Sequence, residues 1–297
     1  MVPDSRLAGT DIEDPVAVVI PVHNGWAHSR LCLRALVNSG YDPLTVFIVD
    51  DGSTDGTSEQ IAREFPRVVV VKGDGSLWWA GAMNAGMREA FEAGNRYVFV
   101  LNNDVTVGRD AIREVVKYAN DHPRTLVGSL IADAAMPGTV WCAGGTMRWP
   151  WPGETMLGGG DTVTSYVEPR AVEWLPGMGT LIPRELADAL GGYDAKRMPQ
   201  YLADTDFALR ARARGWHVVM LPRSVLLNDV SNTGGTTSDS AKFTPREAAA
   251  VFTSRRSPDY LSARTAFIAR HCPPRWLIPA LVIRYSRLLG FILRRLL

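Results

Sequence analysis

Apolar residues in the first half of the chain come in short runs that close on polar clusters, and these runs alternate with stretches of helical period. Val16 to Val22 is almost continuously apolar, closes through Pro21, and gives way to His23-Asn24-Gly25. Leu44 to Val49, Val68 to Val71 and Tyr97 to Leu101 repeat the pattern. Short β-branched runs of this kind predict strands buried on both faces of a sheet. Between them, Ser29 to Asn38, about Thr57 to Phe65, about Ala80 to Ala93, and Asp110 to Asn120 read as helices, with Gly40 and Pro123 among their stops. The order βαβαβαβα predicts an α/β fold with a mostly parallel central sheet flanked by helices. Right-handed crossovers put the strand C-termini on one rim, where open α/β sheets bind ligands.

The pattern weakens after Leu126. Leu126 to Ile131, Val140 to Ala143, Val172 to Leu175, Thr180 to Ile182 and Trp216 to Leu221 read as strands, separated by the aromatic loop Trp149-Pro150-Trp151-Pro152-Gly153 and by Gly177-Met178-Gly179. A helix over Arg184 to Ala189 ends at Gly191-Gly192, and Thr205 to Arg214 forms another, stopped by Gly215. Asp204 stands at the N-cap place of that second helix and Asp206 in its first turn, where the macrodipole favours acid. Ser231 to Lys242 is rich in Gly, Thr and Ser and predicts a mobile loop. The expected organisation is a flexible leader (1–14), an α/β domain (15–230, in halves 15–122 and 123–230), and a loop with a C-terminal helical extension (231–297).

Composition narrows the function classes. The 297 residues are 46% hydrophobic and carry a formal charge of +1, which gives no whole-chain case for nucleic acid as partner. Three scattered cysteines suggest neither a disulfide framework nor a zinc site, and with no signal-like N-terminal run they point to the cytoplasm. Charge is uneven: no acid follows Asp259, whereas Arg264, Arg270, Arg275, Arg284, Arg287, Arg294 and Arg295 do. Arginines within the apolar run Trp276 to Leu297 argue against a simple spanning helix and for an amphipathic one on an anionic membrane surface. Packing on the domain or in a homodimer interface is the alternative.

Four clusters are candidates for chemistry. Asp50-Asp51-Gly52-Ser53 closes a strand, where a carboxylate can accept from a nucleobase or ribose, or simply cap the next helix. Asn102-Asn103-Asp104 closes another; its single acid suits a hard divalent cation shared with phosphates, or a polar turn. The loop from Gly73 to Asn84 offers close backbone approach, with Trp78 and Trp79 either stacking on a ring or packing, and Lys72 either facing phosphate or idle at the surface. Asn84 inside a helix is poorly explained by propensity. Asp204 is either an N-cap or a general base.

Taken in order, these clusters resemble the inverting family 2 glycosyltransferases of the GT-A fold, and bacterial rhamnosyltransferase-like members among them. The carriers are Ile20-Pro21-Val22-His23-Asn24, Val49 to Thr57, Gly81 to Gly86, Asn102-Asn103-Asp104, Gly191 to Asp194, and Asp204 to Gly215. The resemblance implies a nucleotide-binding first half and an acceptor-binding second half. It places Asp51 on the base or ribose, with Pro21, His23, Asn24, Ser53, Gly81, Asn84 and Asn103 around the nucleotide. Asp104 would hold Mg²⁺ or Mn²⁺, Asp204 would be the catalytic base, and Trp79, Gly179 and Asp206 would stand near the donor or acceptor sugar. The implied partners are a nucleotide diphosphate sugar (dTDP-rhamnose or a UDP-sugar) and a glycan or lipid-linked acceptor of cell-envelope polysaccharide synthesis. Two positions depart from the pattern: Asn102 replaces the first metal-motif acid, and Ala203 the acid before the base. In place of the family's late histidine stand Asn228 and Asp229. The other readings are a nucleotidyltransferase, although His23-Asn24-Gly25 is not its basic phosphate loop, and a non-catalytic carbohydrate-binding relative.

Overall fold

The computed structural model describes residues 13–151, 153–232 and 242–297. Its first part follows the predicted alternation. Strands β1 (Val16–Val22), β2 (Leu44–Asp50), β3 (Val69–Lys72) and β4 (Tyr97–Val100) are joined by helices α1 (Trp26–Val37), α2 (Thr57–Glu64) and α3 (Trp78–Glu92), and α4 (Ala111–Asp121) follows. β1 pairs in parallel with β2 and β4, and β2 in parallel with β3. The run Val16–Ile20 has no exposed surface, as expected for a strand covered on both faces. Helix α3 lies close against it because Gly86 has no side chain: a Cβ there would stand 2.3 Å from Val19 Cγ1.

The second part continues the same sheet. It contributes β5 (Val105–Val107), β6 (Thr125–Asp133), β7 (Val140–Cys142), β8 (Gly145–Arg148), β9 (Gly153–Met156), β10 (Arg170–Ala171), β11 (Thr180–Pro183) and β12 (His217–Asn228), with helices α5 (Arg184–Leu190) and α6 (Ala203–Ala213). The ten-stranded sheet runs β10-β12-β6-β11-β4-β1-β2-β3, with β5 on β12 and β7 on β6, while β8 and β9 form a separate hairpin. The first four strands are parallel throughout; β11 enters antiparallel to β4 and carries the sheet into the second half. The expected strand Val172 to Leu175 is absent: β10 is shorter and earlier, and Trp174 makes one isolated bridge to Gly145. Its ring occupies the space beside that glycine, where a Cβ would lie 2.1 Å away.

The last two residues of the expected leader are anchored, and the C-terminal extension is helical. Residues 1–12 lie outside the described residues, but Glu13 pairs with Arg113, and Asp14 with Arg96 at 2.7 Å and with Asn120 at 2.8 Å. Those two residues are therefore anchored to the domain. Most of the expected mobile loop, residues 233–241, also lies outside the described residues. Beyond it come α7 (Pro245–Thr253), α8 (Leu261–His271) and α9 (Leu277–Leu296). α9 packs Leu288 and Ile292 on Ala248 of α7, and Ala280 on Ile268 of α8 and on Cys272 just after it. The aromatic loop serves this extension: Trp149 packs against the α8–α9 cluster, and Arg284 and Arg287 lie over Trp151 at 5.5 and 4.9 Å.

Candidate active site

A cavity of about 630 Å³ opens at the C-terminal rim of the parallel strands. That size lies within the range of small-molecule sites. Its lining joins Pro21, His23 and Asp51 from the first strands, Trp79 from α3, and Asn103 and Asp104 after β4 to Gly177 and Asp204 from the second half.

The two acids that close β2 do different work. Asp50 is buried; its carboxylate accepts from the Ser53 N–H at 2.9 Å, pairs with Lys72 at 3.3 Å, and takes the Ser58 hydroxyl. These bonds build the turn into α2, and they occupy Lys72. Burial would raise the Asp50 carboxyl, but these hydrogen bonds outweigh it and hold the group below its usual range. Asp51 reaches the cavity instead. One oxygen accepts from the Gly75 N–H at 2.8 Å and the other from the Trp78 N–H at 3.0 Å. Gly73 permits this contact, since a Cβ there would lie 2.6 Å from Asp51 Oδ1. The Gly-rich loop thus brings its backbone close to Asp51, and the pair forms one wall. His23 donates through Nδ1 to the Asp51 carbonyl at 2.7 Å, which fixes the ring at the same rim.

Three further nucleotide candidates stay behind that wall. Asn24 and Ser53 tie the β1 and β2 turns together: the Asn24 N–H donates to Ser53 Oγ at 2.7 Å, and Asn24 Oδ1 accepts from the Thr54 N–H at 2.9 Å. Gly81 packs within α3 against Leu77, with space for a Cβ only at 3.3 Å. None of the three lines the cavity.

After β4 the polar cluster divides again. Asn102 accepts from the Trp79 indole N–H at 2.9 Å, and Trp79 packs edge-on to Tyr193 at 5.1 Å, so that tryptophan is both packed and cavity-lining. Asn103 donates to Ser29 Oγ at 3.1 Å. Asp104 is unlike both: its Oδ1 is buried with no hydrogen-bond partner among the described residues. Burial raises its carboxyl above the usual range, and the charge of Asp229 adds to that. Asp229 arrives from the end of β12, its N–H 3.3 Å from the Asp104 carbonyl, and Asn228 lines the cavity beside it. The signal for this approach was weak in sequence, because β12 runs seven residues beyond the predicted Leu221 and pairs with the unpredicted β5.

Asp204 faces the cavity from the first turn of α6. It is not the N-cap; Leu202, with φ of 70°, holds that place. Its Oδ2 accepts from the Gly177 N–H at 2.8 Å, and its Oδ1 from the Thr205 N–H at 2.7 Å. Gly177 must be glycine here, as a Cβ would fall 2.5 Å from Trp79. Burial raises the Asp204 carboxyl, and the backbone hydrogen bonds oppose this only in part. Oriented in this way, the group is suited to accept a proton.

Three remaining candidates are placed elsewhere. Asn84 donates to the Tyr193 carbonyl at 2.9 Å and accepts from the Tyr193 N–H at 2.8 Å. Its mid-helix position thus cross-links the Gly191 to Asp194 segment to α3, and it does not line the cavity. Asp206 has no exposed surface and pairs with Arg210 and Arg270 at 2.7 Å each and with His271 at 2.8 Å. Two residues after Asp204 on a helix it points to the opposite side, toward α8, and does not line the cavity. Gly179, with φ of 71°, packs against Ser129 and Leu226 and does not line the cavity.

Comparisons with known proteins agree with this geometry. Residues 17–157 match the model of glycosyl transferase family 2. The chain is 27% identical over 247 residues to the N-acetylglucosaminyl-diphospho-decaprenol L-rhamnosyltransferase of Mycobacterium tuberculosis, covering 75% of this chain and 78% of that protein. It is 26% identical over 235 residues to the probable glycosyltransferase YdaM of Bacillus subtilis, covering 71% and 49%. Among solved structures, GalNAc-T7 with UDP, GalNAc and Mn²⁺ superposes with a TM-score of 0.62 at 15% identity, over 74% of this chain and 44% of that one. The chain is therefore a glycosyltransferase of the GT-A fold, and its residues 17–157 are similar to glycosyl transferase family 2.

Proposed function

We propose that the chain moves a sugar, with inversion, from a nucleotide diphosphate donor to a glycan or lipid-linked acceptor in cell-envelope polysaccharide assembly. dTDP-rhamnose is the preferred donor and a UDP-sugar the next. The observation that carries this reading is the convergence of Asp51, Asp104 and Asp204 on one cavity from three separate segments. Asp51 and the loop it holds receive the nucleoside. Asp204 takes the proton of the acceptor hydroxyl as that oxygen attacks the anomeric carbon. The bond from that carbon to the diphosphate breaks, and the diphosphate leaves with the electron pair. A single displacement of this kind inverts configuration.

The residues fit a divalent cation. Asp104 Oδ1 is a buried carboxylate oxygen without a protein partner among the described residues, with Asn228 and Asp229 close by. Among the described residues no cluster of three or more His, Cys, Asp or Glu forms a full protein cage. One or two carboxylates plus substrate phosphates is the usual Mg²⁺ arrangement, and Mn²⁺ accepts similar ligands. When bound there, the ion would neutralise charge developing on the departing diphosphate. Binding of dTDP-rhamnose, UDP-glucose and UDP-N-acetylglucosamine, with and without Mg²⁺ or Mn²⁺, tests the donor and metal together. One donor is expected to bind at least tenfold tighter with metal and to release nucleoside diphosphate when a polyprenyl-diphosphate N-acetylglucosamine is added. No binding of any of the three, or binding without release across a panel of acceptors, overturns the reading.

The tail supports work at a membrane surface. The segment Pro274–Leu296 is long and apolar enough to cross a membrane by length and composition. One face of α9, however, is packed on α7 and α8. The other face shows Ile278, Val282, Leu289 and Leu293, 74, 62, 50 and 49% exposed, spaced to form one stripe. A helix docked on one side and apolar on the other suits lying in the headgroup region, near a lipid-linked acceptor on the cytoplasmic face. Full-length protein is expected to co-sediment with phosphatidylglycerol-rich vesicles, and Val282→Glu with Leu289→Glu to cut that binding about tenfold. Wild-type protein that stays in the supernatant, or that dimerises through the stripe, removes the membrane assignment.

A further inference from the structure

Among the described residues, the cavity lining holds three carboxylates, Asp51, Asp104 and Asp204, and one Lys or Arg, which is Arg256. That arginine comes from outside the motif-bearing part of the chain, on the connection between α7 and α8. Among the described residues it makes no ion pair, whereas its neighbours are committed. Arg255 lies over the Trp78 ring at 5.8 Å. Asp259, which could have neutralised it, pairs with Arg264 at 3.8 Å and with Arg284.

The connection is a formed turn. The Arg256 N–H donates to Ser254 Oγ at 3.2 Å, the Ser257 N–H to the Ser254 carbonyl at 3.0 Å, and the Tyr260 N–H to the Ser257 carbonyl at 3.1 Å. It is fixed at both sides: Asp259 ties it to α8 and α9, and Arg255 rests on Trp78, whose own N–H holds Asp51. The turn therefore brings Arg256 to the cavity lining from the C-terminal extension.

A donor diphosphate brings two or more further negative charges into a space that already holds three acids. At separations of a few ångströms each such repulsion costs several kcal/mol at roughly ε 20. The strand end that faces it offers little relief, with Asn102 neutral and already accepting from Trp79. We propose that Arg256 is the protein's own cation for the donor diphosphate, delivered by the C-terminal extension. A guanidinium is suited to this, since it can grip two phosphate oxygens at once and stays charged at every working pH. The extension thereby completes the donor site in addition to any membrane role.

This inference rests on the glycosyltransferase reading and separates from it by experiment. In full-length protein, the affinities of dTDP and UDP are measured against those of thymidine and uridine, by calorimetry, for wild type, Arg256→Ala and Arg256→Lys. Arg256→Ala is expected to weaken the diphosphates at least tenfold and the nucleosides less than twofold, with Arg256→Lys in between. Arg256→Gln makes the same comparison if the alanine variant does not fold. Equal weakening of nucleosides and diphosphates, or no change in either, overturns the role of Arg256 and leaves the donor reading standing. Wild-type protein that binds neither diphosphate overturns both.

Discussion

Replacing Asp204 with Asn is expected to lower the rate of sugar transfer by about 10²- to 10⁴-fold, the usual contribution of a positioned general base, while donor affinity changes less than twofold. The side chain keeps its shape, so the amide oxygen of the variant can still accept from one of the two N–H groups that orient the carboxylate, those of Gly177 and Thr205. What it loses is the capacity to take a proton. The nucleoside wall around Asp51 and the cluster around Asp104 belong to other segments and are not disturbed. The pH profile gives an independent reading. Burial raises the Asp204 carboxyl above its usual value of 3.8, so the base is protonated and idle at pH values where an ordinary aspartate is already ionised. In wild type, kcat/KM should fall as pH drops through that raised value, placing the acid limb above 3.8. The residual activity of Asp204→Asn should lack that limb. Near wild-type turnover in the variant, or an unchanged acid limb, would remove Asp204 from the base role.

The four-stranded parallel half was readable in the sequence because its strands are apolar on both faces and its helices end at Gly, Asn or Pro. The residues that line the cavity from that half, His23, Asp51 and Asp104, were found for the same reason: acids and amides that close a buried strand must emerge at its rim. Motif residues a step further on proved ambiguous. Asn24, Ser53 and Asn84 sit in the right stretches, yet each is used for holding segments to one another, and Gly81 packs within α3 against Leu77. Nothing in a single sequence separates a residue that touches ligand from one that shapes the wall. The second half was harder because its strands are uneven in length, mixed in direction and separated by glycines that accommodate Trp79 and Trp174. Asn228 and Arg256 reach the cavity across long sequence separations, and no local pattern marks such an approach. Asn102 departs from the family's acid, and the structure shows its side chain accepting from the Trp79 indole N–H.

Replacing Asp206 with Asn is expected to cost stability and not sugar recognition. The carboxylate is fully buried between α6 and α8, where it accepts from Arg210, Arg270 and His271. Arg270 also reaches Asp194 at 2.6 Å, so the group joins the C-terminal extension to the helix that carries Asp204. Removing one member of a buried ionic cluster costs about 3–5 kcal/mol, because the remaining charges lose their partner without regaining water. For a chain of this size that corresponds to a melting temperature lower by roughly 5–8 °C. The pH dependence has a definite sign. Burial alone would raise the Asp206 carboxyl, but the hydrogen bond from His271, the charge of Arg210 and the hydrogen bonds from Arg270 and Arg210 outweigh it and hold it at about 2. A carboxyl lowered from 3.8 by folding contributes stability that is fully present above the unfolded value and is lost as pH falls through the folded one. The stability gap between wild type and Asp206→Asn should therefore be constant at neutral pH and shrink between about pH 4 and pH 2. A role in holding the sugar predicts the reverse: an unchanged melting temperature and a raised KM for the donor or acceptor. Differential scanning fluorimetry across pH, run beside the transfer assay, decides between the two.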